Sequence, residues 1–129
     1  MRKIVLLFTL LFSTISSAQI DCEVVKEGKF KVIDNEYGDM IIQRTQNQEI
    51  SFNSKTGVKV ESKITWTDEC SYTIVFHKVL ENPKNIDLQI NIEAIDSVKI
   101  IDVKNGFYSE EYMEGTYNII FPRKLLRLD

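Results

Sequence analysis

Residues 63–79, KITWTDECSYTIVFHKV, predict a β-hairpin around which the remainder of the chain is arranged. Side chains alternate between the two faces of a strand, so apolar residues two positions apart share a face. By this rule each arm has one apolar face: Ile64 and Trp66 in the first arm, and Tyr72, Ile74 and Phe76 in the second. Asp68 and Glu69 suit the turn between the arms. We expect both apolar faces to point into the interior of a β-sheet domain.

The same alternation recurs on either side of this hairpin and predicts further strands. Strands are expected at about residues 26–34, 40–45, 50–52, 58–67, 71–79, 86–94, 98–103 and 112–121. Asp96 and Ser97 are predicted to connect two of them in a tight hairpin, and Pro122 to end the last one. The tail, residues 123–129, is expected to be a short edge segment, a turn of helix or a disordered end.

About eight strands joined by short turns predict an all-β fold, an antiparallel up-and-down meander. Such a meander either closes into a small lipocalin-like barrel or stays a partly open sheet. We favour the closed barrel because closure removes the exposed strand edges that invite aggregation.

Residues 1–18 have the three parts of a secretory signal peptide. Arg2 and Lys3 precede a short apolar run, and a small polar stretch ends at Ala18. We expect cleavage between Ala18 and Gln19, which predicts a secreted or periplasmic protein. A retained membrane anchor is the alternative, but the apolar run is shorter than the roughly 20 residues that span a bilayer. No membrane span is therefore expected after cleavage.

The mature chain, residues 19–129, is expected to form a single domain because its length suits one hydrophobic core. Removal of the signal takes away Arg2 and Lys3 and no acidic residue, so the formal net charge goes from −3 to −5. A mildly acidic chain without a basic stripe argues against nucleic acids and anionic membranes as partners.

Cys22 and Cys70 are the only cysteines, and in an oxidising compartment a lone pair is most simply a disulfide. For a loop of this length the chain-entropy model gives about 4 kcal/mol of stabilisation. A reactive thiol or a metal ligand is the alternative, but neither cysteine has a second cysteine or a histidine at ligand spacing. We expect the bond to hold the start of the mature chain against the central hairpin.

Five segments carry a resemblance to a known group of proteins. They are CEVVKEGKF (22–30), IIQRTQNQEI (41–50), KITWTDECSYTIVF (63–76), INIEAIDSVKI (90–100) and MEGTYNI (113–119). This arrangement resembles a group of small, uncharacterised exported proteins of Bacteroidetes, some of which carry a DNA topoisomerase IV label. The resemblance covers nearly all of the mature chain and implies a shared fold, because its motifs are turn glycines, strand aromatics and the cysteine pair. A short, exported and acidic chain does not support the topoisomerase label.

Few residues have the pattern of a catalytic or metal site. His77 is the only histidine, and no serine or cysteine is signalled as its partner, so a solvent-facing or cross-strand position is expected. Residues 34–39, DNEYGD, gather oxygen ligands around a glycine but lack the flanking helices and distal glutamate of an EF-hand, which favours a turn. Glu110 and Glu111 point apart in an extended chain. We therefore expect no catalytic, cofactor-binding or metal-binding residues.

The candidate ligand-lining residues are Arg44, Trp66, Tyr72 and Phe76. Aromatic side chains in a small barrel either fill it or line a pocket, and filling is expected because a small domain needs the buried area to fold. Arg44 shares a strand face with Met40 and Ile42, so inside the barrel it needs an internal carboxylate or a ligand's anionic head group. A side chain that reaches water at an edge is the simpler expectation.

These features predict binding without catalysis. The first hypothesis is an exported barrel that holds a small apolar or amphipathic molecule. The alternative is a protein-interaction module with a solid core, such as an enzyme inhibitor or an envelope assembly factor, and an enzyme is the third hypothesis. An internal cavity reached by Arg44 or Trp66 favours the first, and a solid core with an exposed apolar patch favours the second.

Overall fold

A computed structural model describes residues 20–33 and 39–129. The predicted signal peptide and its cleavage site lie outside the described residues, as does most of the 34–39 segment. Within the two described ranges, no helix has the length and apolar character needed to cross a membrane.

The described chain forms eight strands and a short 3₁₀ helix, Glu23–Val25. The strands are β1 (Gly28–Ile33), β2 (Met40–Arg44), β3 (Gln48–Asn53), β4 (Lys59–Asp68), β5 (Ser71–Glu81), β6 (Asp96–Lys104), β7 (Phe107–Glu114) and β8 (Ile119–Arg127). Each strand pairs antiparallel with the next one along the chain, and β8 returns to pair with β1. The strands close into a barrel, which confirms the predicted all-β up-and-down meander.

The central hairpin has the predicted pairing and the predicted inner face. β4 and β5 place Ile64 opposite Ile74 and Trp66 opposite Tyr72. The buried side chains of this hairpin pack on Val98 of β6. A larger buried cluster includes Val25, Phe30, Ile42, Ile100, Tyr108 and Leu125. Apolar packing therefore joins strands from all parts of the chain.

The predicted sixth strand is wrong, because residues 82–95 form an irregular segment between β5 and β6. Asn85 and Gln89 have positive φ angles of 51° and 45°, which an extended strand does not adopt. Asp96 and Ser97 accordingly begin β6 and do not form a tight hairpin turn. This segment thus has the alternating sequence of a strand but does not adopt the extended backbone that a strand requires.

The C-terminal region forms two strands where the sequence predicted one, and Pro122 lies inside β8. The backbone N–H of Leu128 donates to Lys29 of β1, so even-numbered positions of β8 direct their N–H groups toward β1. Pairing between β1 and β8 extends only as far as Lys124. Pro122 therefore lacks an N–H at a position beyond the described pairing of β1 with β8, and the strand continues.

The two ends of the barrel differ. The closed end carries the 3₁₀ helix and the turns that follow β2, β4 and β6. A disulfide between Cys22 and Cys70, with 5.4 Å between their Cα atoms, attaches this helix to the β4–β5 turn and confirms the predicted bond. The open end carries the β3–β4 connection, the irregular segment at 82–95 and the β7–β8 turn.

Candidate functional site

Charged side chains point into the barrel and define the candidate site. Arg44, Glu49 and Glu110 have 2%, 5% and 0% of their surface exposed. The side chain of Arg123 joins them from β8 and is 16% exposed. Burial of a charge is costly unless the charge is paired and hydrogen-bonded. The partners of these groups therefore show whether each charge is satisfied by the protein or is left for a ligand.

Arg44 is fully engaged by the protein itself. Its Nη2 pairs with Glu49 Oε1 at 2.8 Å and donates to the Tyr72 hydroxyl at 3.0 Å. Its Nη1 donates to the Tyr108 hydroxyl at 2.8 Å and to the carbonyl oxygen of Val25 at 3.1 Å, while Nε contacts Glu49. The expectation that Arg44 reaches water at an edge is wrong, because the internal carboxylate of Glu49 neutralises it inside the barrel.

A second ion pair joins β7 and β8. Glu110 and Arg123 are directly opposite each other in the strand pairing, and Nε of Arg123 donates to Glu110 Oε1 at 2.5 Å. Nη2 of Arg123 contacts the same oxygen but makes no hydrogen bond of good geometry. The Tyr72 hydroxyl donates to Glu110 Oε2 at 3.1 Å. Since the same hydroxyl accepts from Arg44, Tyr72 connects the two ion pairs into one network.

Burial and neighbouring charge shift the pKa values of Arg44, Arg123, Tyr72 and Tyr108. Burial alone lowers the pKa of the Arg44 guanidinium, but attraction to its neighbours raises it more, and the pKa lies well above its ordinary value. Burial also lowers the pKa of Arg123, but the combined attraction of Glu110, Tyr72, Glu49 and Tyr112 raises it more, so the pKa lies above its ordinary value. Burial raises the pKa values of Tyr72 and Tyr108, and Glu110 raises them further. Both guanidinium groups are therefore charged, and both phenols neutral, at physiological pH.

A cavity of about 460 Å³ lies at the open end, directly beside the network. Glu49 and Arg123 belong to both the network and the cavity lining. Other lining residues are apolar or aromatic (Ile42, Ile74, Phe76, Tyr112 and Tyr117) or polar (Ser51, Ser62, Asp96 and Glu114). Small-molecule sites have volumes of about 300–1,000 Å³, so this cavity is large enough for one.

The irregular segment at 82–95 completes the wall of the cavity. β5 pairs with β6 only through residues Ser71 to Ile74, so the part of β5 near the open end has no β6 neighbour. Four residues of the segment line the cavity at this gap: Gln89, Ile90, Asn91 and Ala94. One side of the cavity is thus closed by loop rather than by sheet.

Asp96 fixes the end of this segment to the β7–β8 turn. Its carboxylate accepts hydrogen bonds from the Tyr112 hydroxyl at 2.5 Å and from the backbone N–H of Gly115 at 2.8 Å. Gly115 has no room for a side chain, because a Cβ atom there would collide with the carbonyl oxygen of Ile95. A glycine at this position therefore lets the two connections pack directly against each other.

The four candidate ligand-lining residues lie at different levels of the barrel. Phe76 lines the cavity. Arg44 and Tyr72 belong to the buried network beside it. Trp66 donates from Nε1 to the carbonyl oxygen of Gln46, and the ammonium group of Lys26 lies 4.7 Å from its ring centre. Of the four, Phe76 alone contributes to the surface of this cavity.

The sequence did not indicate Glu49, Asp96, Glu110, Tyr112 or Arg123 as site residues. The sequence does contain a signal for part of the site, because Tyr108, Glu110 and Tyr112 alternate and so share one face of β7. The sequence predicted no strand between residues 103 and 112, so this face was not recognised. Arg123 lay in the tail, for which an edge segment, a turn of helix and a disordered end were all left open; the structure places it in β8.

His77 lies on the outer wall of the barrel. Its Nδ1 is 2.6 Å from Glu61 Oε2, and the His77 side chain is 44% exposed. Neither residue lines the open-end cavity. Of the 34–39 segment only Asp39 is described, and it pairs with Lys31 at 3.6 Å. Within residues 20–33 and 39–129 no three acidic, histidine or cysteine side chains are grouped as metal ligands.

Comparison with protein-family models, with curated proteins and with solved structures gives no match. Function is therefore inferred from the geometry of this chain. The features that bear on it are the buried network, the cavity and the apolar residues exposed at the open end.

Proposed function

We propose that this protein is an exported, non-enzymatic binding domain that holds a small amphipathic molecule in the open-end cavity. The observation that carries the proposal is a cavity of about 460 Å³ whose lining is half apolar or aromatic and half polar or charged. A lining that offers both apolar contact and polar groups suits a molecule that has both an apolar and a polar part. The polar end of the ligand would contact the ionised groups, and its apolar body the walls.

The contacts of the lining residues favour binding over catalysis. Arg123 is held by Glu110, and Asp96 is held by Tyr112 and Gly115. Groups fixed by structural hydrogen bonds are suited to orient a ligand. The histidine and its carboxylate neighbour, His77 and Glu61, lie on the outer wall and so have no contact with a molecule in the cavity.

Two observations support export. The disulfide between Cys22 and Cys70 is of a kind that persists in oxidising compartments. Residues 1–18 have the sequence pattern of a secretory signal peptide. Together the two observations support a periplasmic or secreted location.

A protein-docking role is the second candidate, and exposed apolar residues at the open end favour it. The side chains of Ile92, Ile95, Tyr117, Ile119 and Ile120 are each more than half exposed. Exposed apolar groups of this kind are often interaction sites. In this case the partner would contact the rim of the barrel, because the interior at this end is hollow rather than solid.

Native mass spectrometry of protein purified from its own host tests the first proposal. We expect a retained small molecule that is lost on denaturation. Ser62→Trp, which fills the cavity, should abolish retention, and Thr65→Trp, on the outer face of the same strand, should not. A stoichiometric protein partner without a small molecule would favour the second candidate. An empty protein with no partner would contradict both.

A further inference from the structure

The charges around the cavity are unbalanced. Four carboxylates (Glu49, Asp96, Glu110 and Glu114) face two guanidinium groups, Arg44 and Arg123, in the network and lining together. The two guanidinium groups are each paired with a carboxylate, which leaves Asp96 and Glu114 as an excess of negative charge. Both of these residues line the cavity.

Within the described residues, all hydrogen-bond donors to Asp96 and Glu114 are uncharged groups. Asp96 accepts from a phenol and a backbone N–H. Glu114 accepts from the backbone N–H groups of Thr116 at 2.7 Å and Tyr117 at 2.9 Å. Such donors stabilise a carboxylate without cancelling its charge, so neither carboxylate has a cationic partner in the described part of the cavity lining.

Glu49 adds an observation that is independent of this charge count. It is 5% exposed, and its Oε1 accepts both hydrogen bonds from Arg44. Its Oε2 receives no hydrogen bond from any donor in residues 20–33 or 39–129, and the residue lines the cavity. A carboxylate oxygen that faces the cavity and has no donor among the described residues is available to accept a hydrogen bond from a ligand.

Aromatic rings complete a setting suited to positive charge. Phe76, Tyr112 and Tyr117 line the cavity together with the carboxylates. The face of an aromatic ring attracts cations, and Arg123 already lies 4.8 Å from the centre of the Tyr112 ring. Apolar and aromatic walls also favour an organic ion over a hydrated inorganic one.

We propose that the ligand is an organic cation, with a protonated amine or quaternary ammonium group attached to an apolar or aromatic body. The ammonium group would be placed near Glu49 and Asp96, and the body against the aromatic wall. This inference rests on the proposed function, because it assigns a chemical class to the ligand of the same cavity. An anionic ligand of equal size would be attracted by Arg123 but repelled by the excess carboxylates, Asp96 and Glu114.

Three probes of nearly equal size test the inference: phenethylamine, phenethyl alcohol and phenylacetate. Isothermal titration calorimetry on the full mature protein should show that the amine binds about tenfold more tightly than either of the others, which is about 1.4 kcal/mol. Raising the salt concentration should weaken amine binding and leave alcohol binding unchanged.

Two carboxylate variants separate a specific site from general surface charge. Glu114→Gln keeps a hydrogen-bond acceptor for the β7–β8 turn and should weaken amine binding about threefold. Glu111→Gln makes the same change on the outer face of β7 and should leave it unchanged. Asp96→Asn should have a larger effect than Glu114→Gln, with thermal unfolding measured to confirm the fold.

The outcomes distinguish this inference from the proposed function. Equal or tighter binding of the alcohol or of phenylacetate overturns the cation and leaves a small-molecule site. An equal loss of amine affinity in the Glu111→Gln control also overturns it. If none of the three probes binds, the cation is rejected, and the mass spectrum of host-purified protein decides the proposed function separately.

Discussion

Nη2 of Arg44 donates a hydrogen bond of 3.0 Å to the hydroxyl of Tyr72 inside the barrel. The same hydroxyl donates to Glu110, which holds Arg123. A single phenol thus joins two ion pairs that come from four different strands. Loss of any member leaves another buried polar group without its partner, so the network is expected to be sensitive to single substitutions.

Arg44→Met should destabilise the protein by about 3–5 kcal/mol, because it leaves the carboxylate of Glu49 buried and unpaired. Urea unfolding measures the change. Gln43→Met, at the neighbouring exposed position of β2, is the control and should change stability by less than about 0.5 kcal/mol. Adding Glu49→Leu to Arg44→Met should restore much of the loss. Equal stability of the Arg44→Met and Gln43→Met variants would show that the ion pair is not required.

Tyr72→Phe should cost about 1–3 kcal/mol, because it removes one hydroxyl and leaves Arg44 and Glu110 each short of a partner. The apolar ring contacts are retained, so the measured loss reports the hydroxyl. Tyr117→Phe makes the same chemical change at a side chain that is 77% exposed and should be nearly neutral. Equal unfolding midpoints for both variants would contradict the linking role of Tyr72.

Stability should fall as the pH rises above about 10, the ordinary pKa of tyrosine. Burial raises the pKa values of Tyr72, Tyr108 and Tyr112, and in Tyr112 the hydrogen bond to Asp96 adds to the effect. Above pH 10 the unfolded chain loses these protons and the folded chain keeps them, so unfolding becomes more favourable by about 4 kcal/mol per pH unit for three groups.

Tyrosinate absorbance, recorded together with circular dichroism, measures this dependence. Ionisation of the three buried tyrosines should coincide with loss of the barrel. Complete ionisation of all five tyrosines in the chain while the β-sheet signal persists is the result that would refute the expectation.

Reduction of the disulfide should lower the free energy of unfolding by about 4 kcal/mol, since the bond joins residues 48 positions apart in the sequence. The double variant Cys22→Ser/Cys70→Ser should show the same loss without reductant. Thermal unfolding with and without dithiothreitol measures it, and the double variant, which has no bond to reduce, is the control. Identical curves for the native protein in both conditions would exclude a stabilising bond.

Gly115→Ala should destabilise the open end by about 1–3 kcal/mol, because the new methyl group collides with the carbonyl oxygen of Ile95. Hydrogen exchange should increase in residues 82–95 and change little in β1 and β2. Thr65→Ala, at an exposed position on the outer face of β4, is the control. Unchanged exchange in the segment would mean that the contact does not hold it in place.

Local patterns predicted much of the fold. Alternation sufficed at residues 58–79, because a strand with one apolar face carries its signal in its own sequence. The same pattern failed at residues 82–95, where Asn85 and Gln89 adopt left-handed backbone conformations and the chain crosses the cavity as a loop. Periodicity reports the spacing of apolar groups and does not report whether a neighbouring strand is available.

The site was harder to predict than the fold because its contacts are non-local. Arg44 binds Tyr108, 64 positions away, and Tyr72 binds Glu110, 38 positions away. A single sequence shows that Arg44 needs a partner when it is buried, but not which of many carboxylates supplies it. Glu49 became identifiable only once the register of β2 and β3 was known.

The hydrogen bond from Leu128 to Lys29 brings the beginning and the end of the barrel together at the closed end. An affinity tag, fluorophore or surface linker fused behind Asp129 would consequently emerge on the side opposite the cavity mouth. Immobilised in that orientation, the protein would present the cavity to the solution, and a biosensor built this way would test the proposed ligand binding without obstruction by its own attachment.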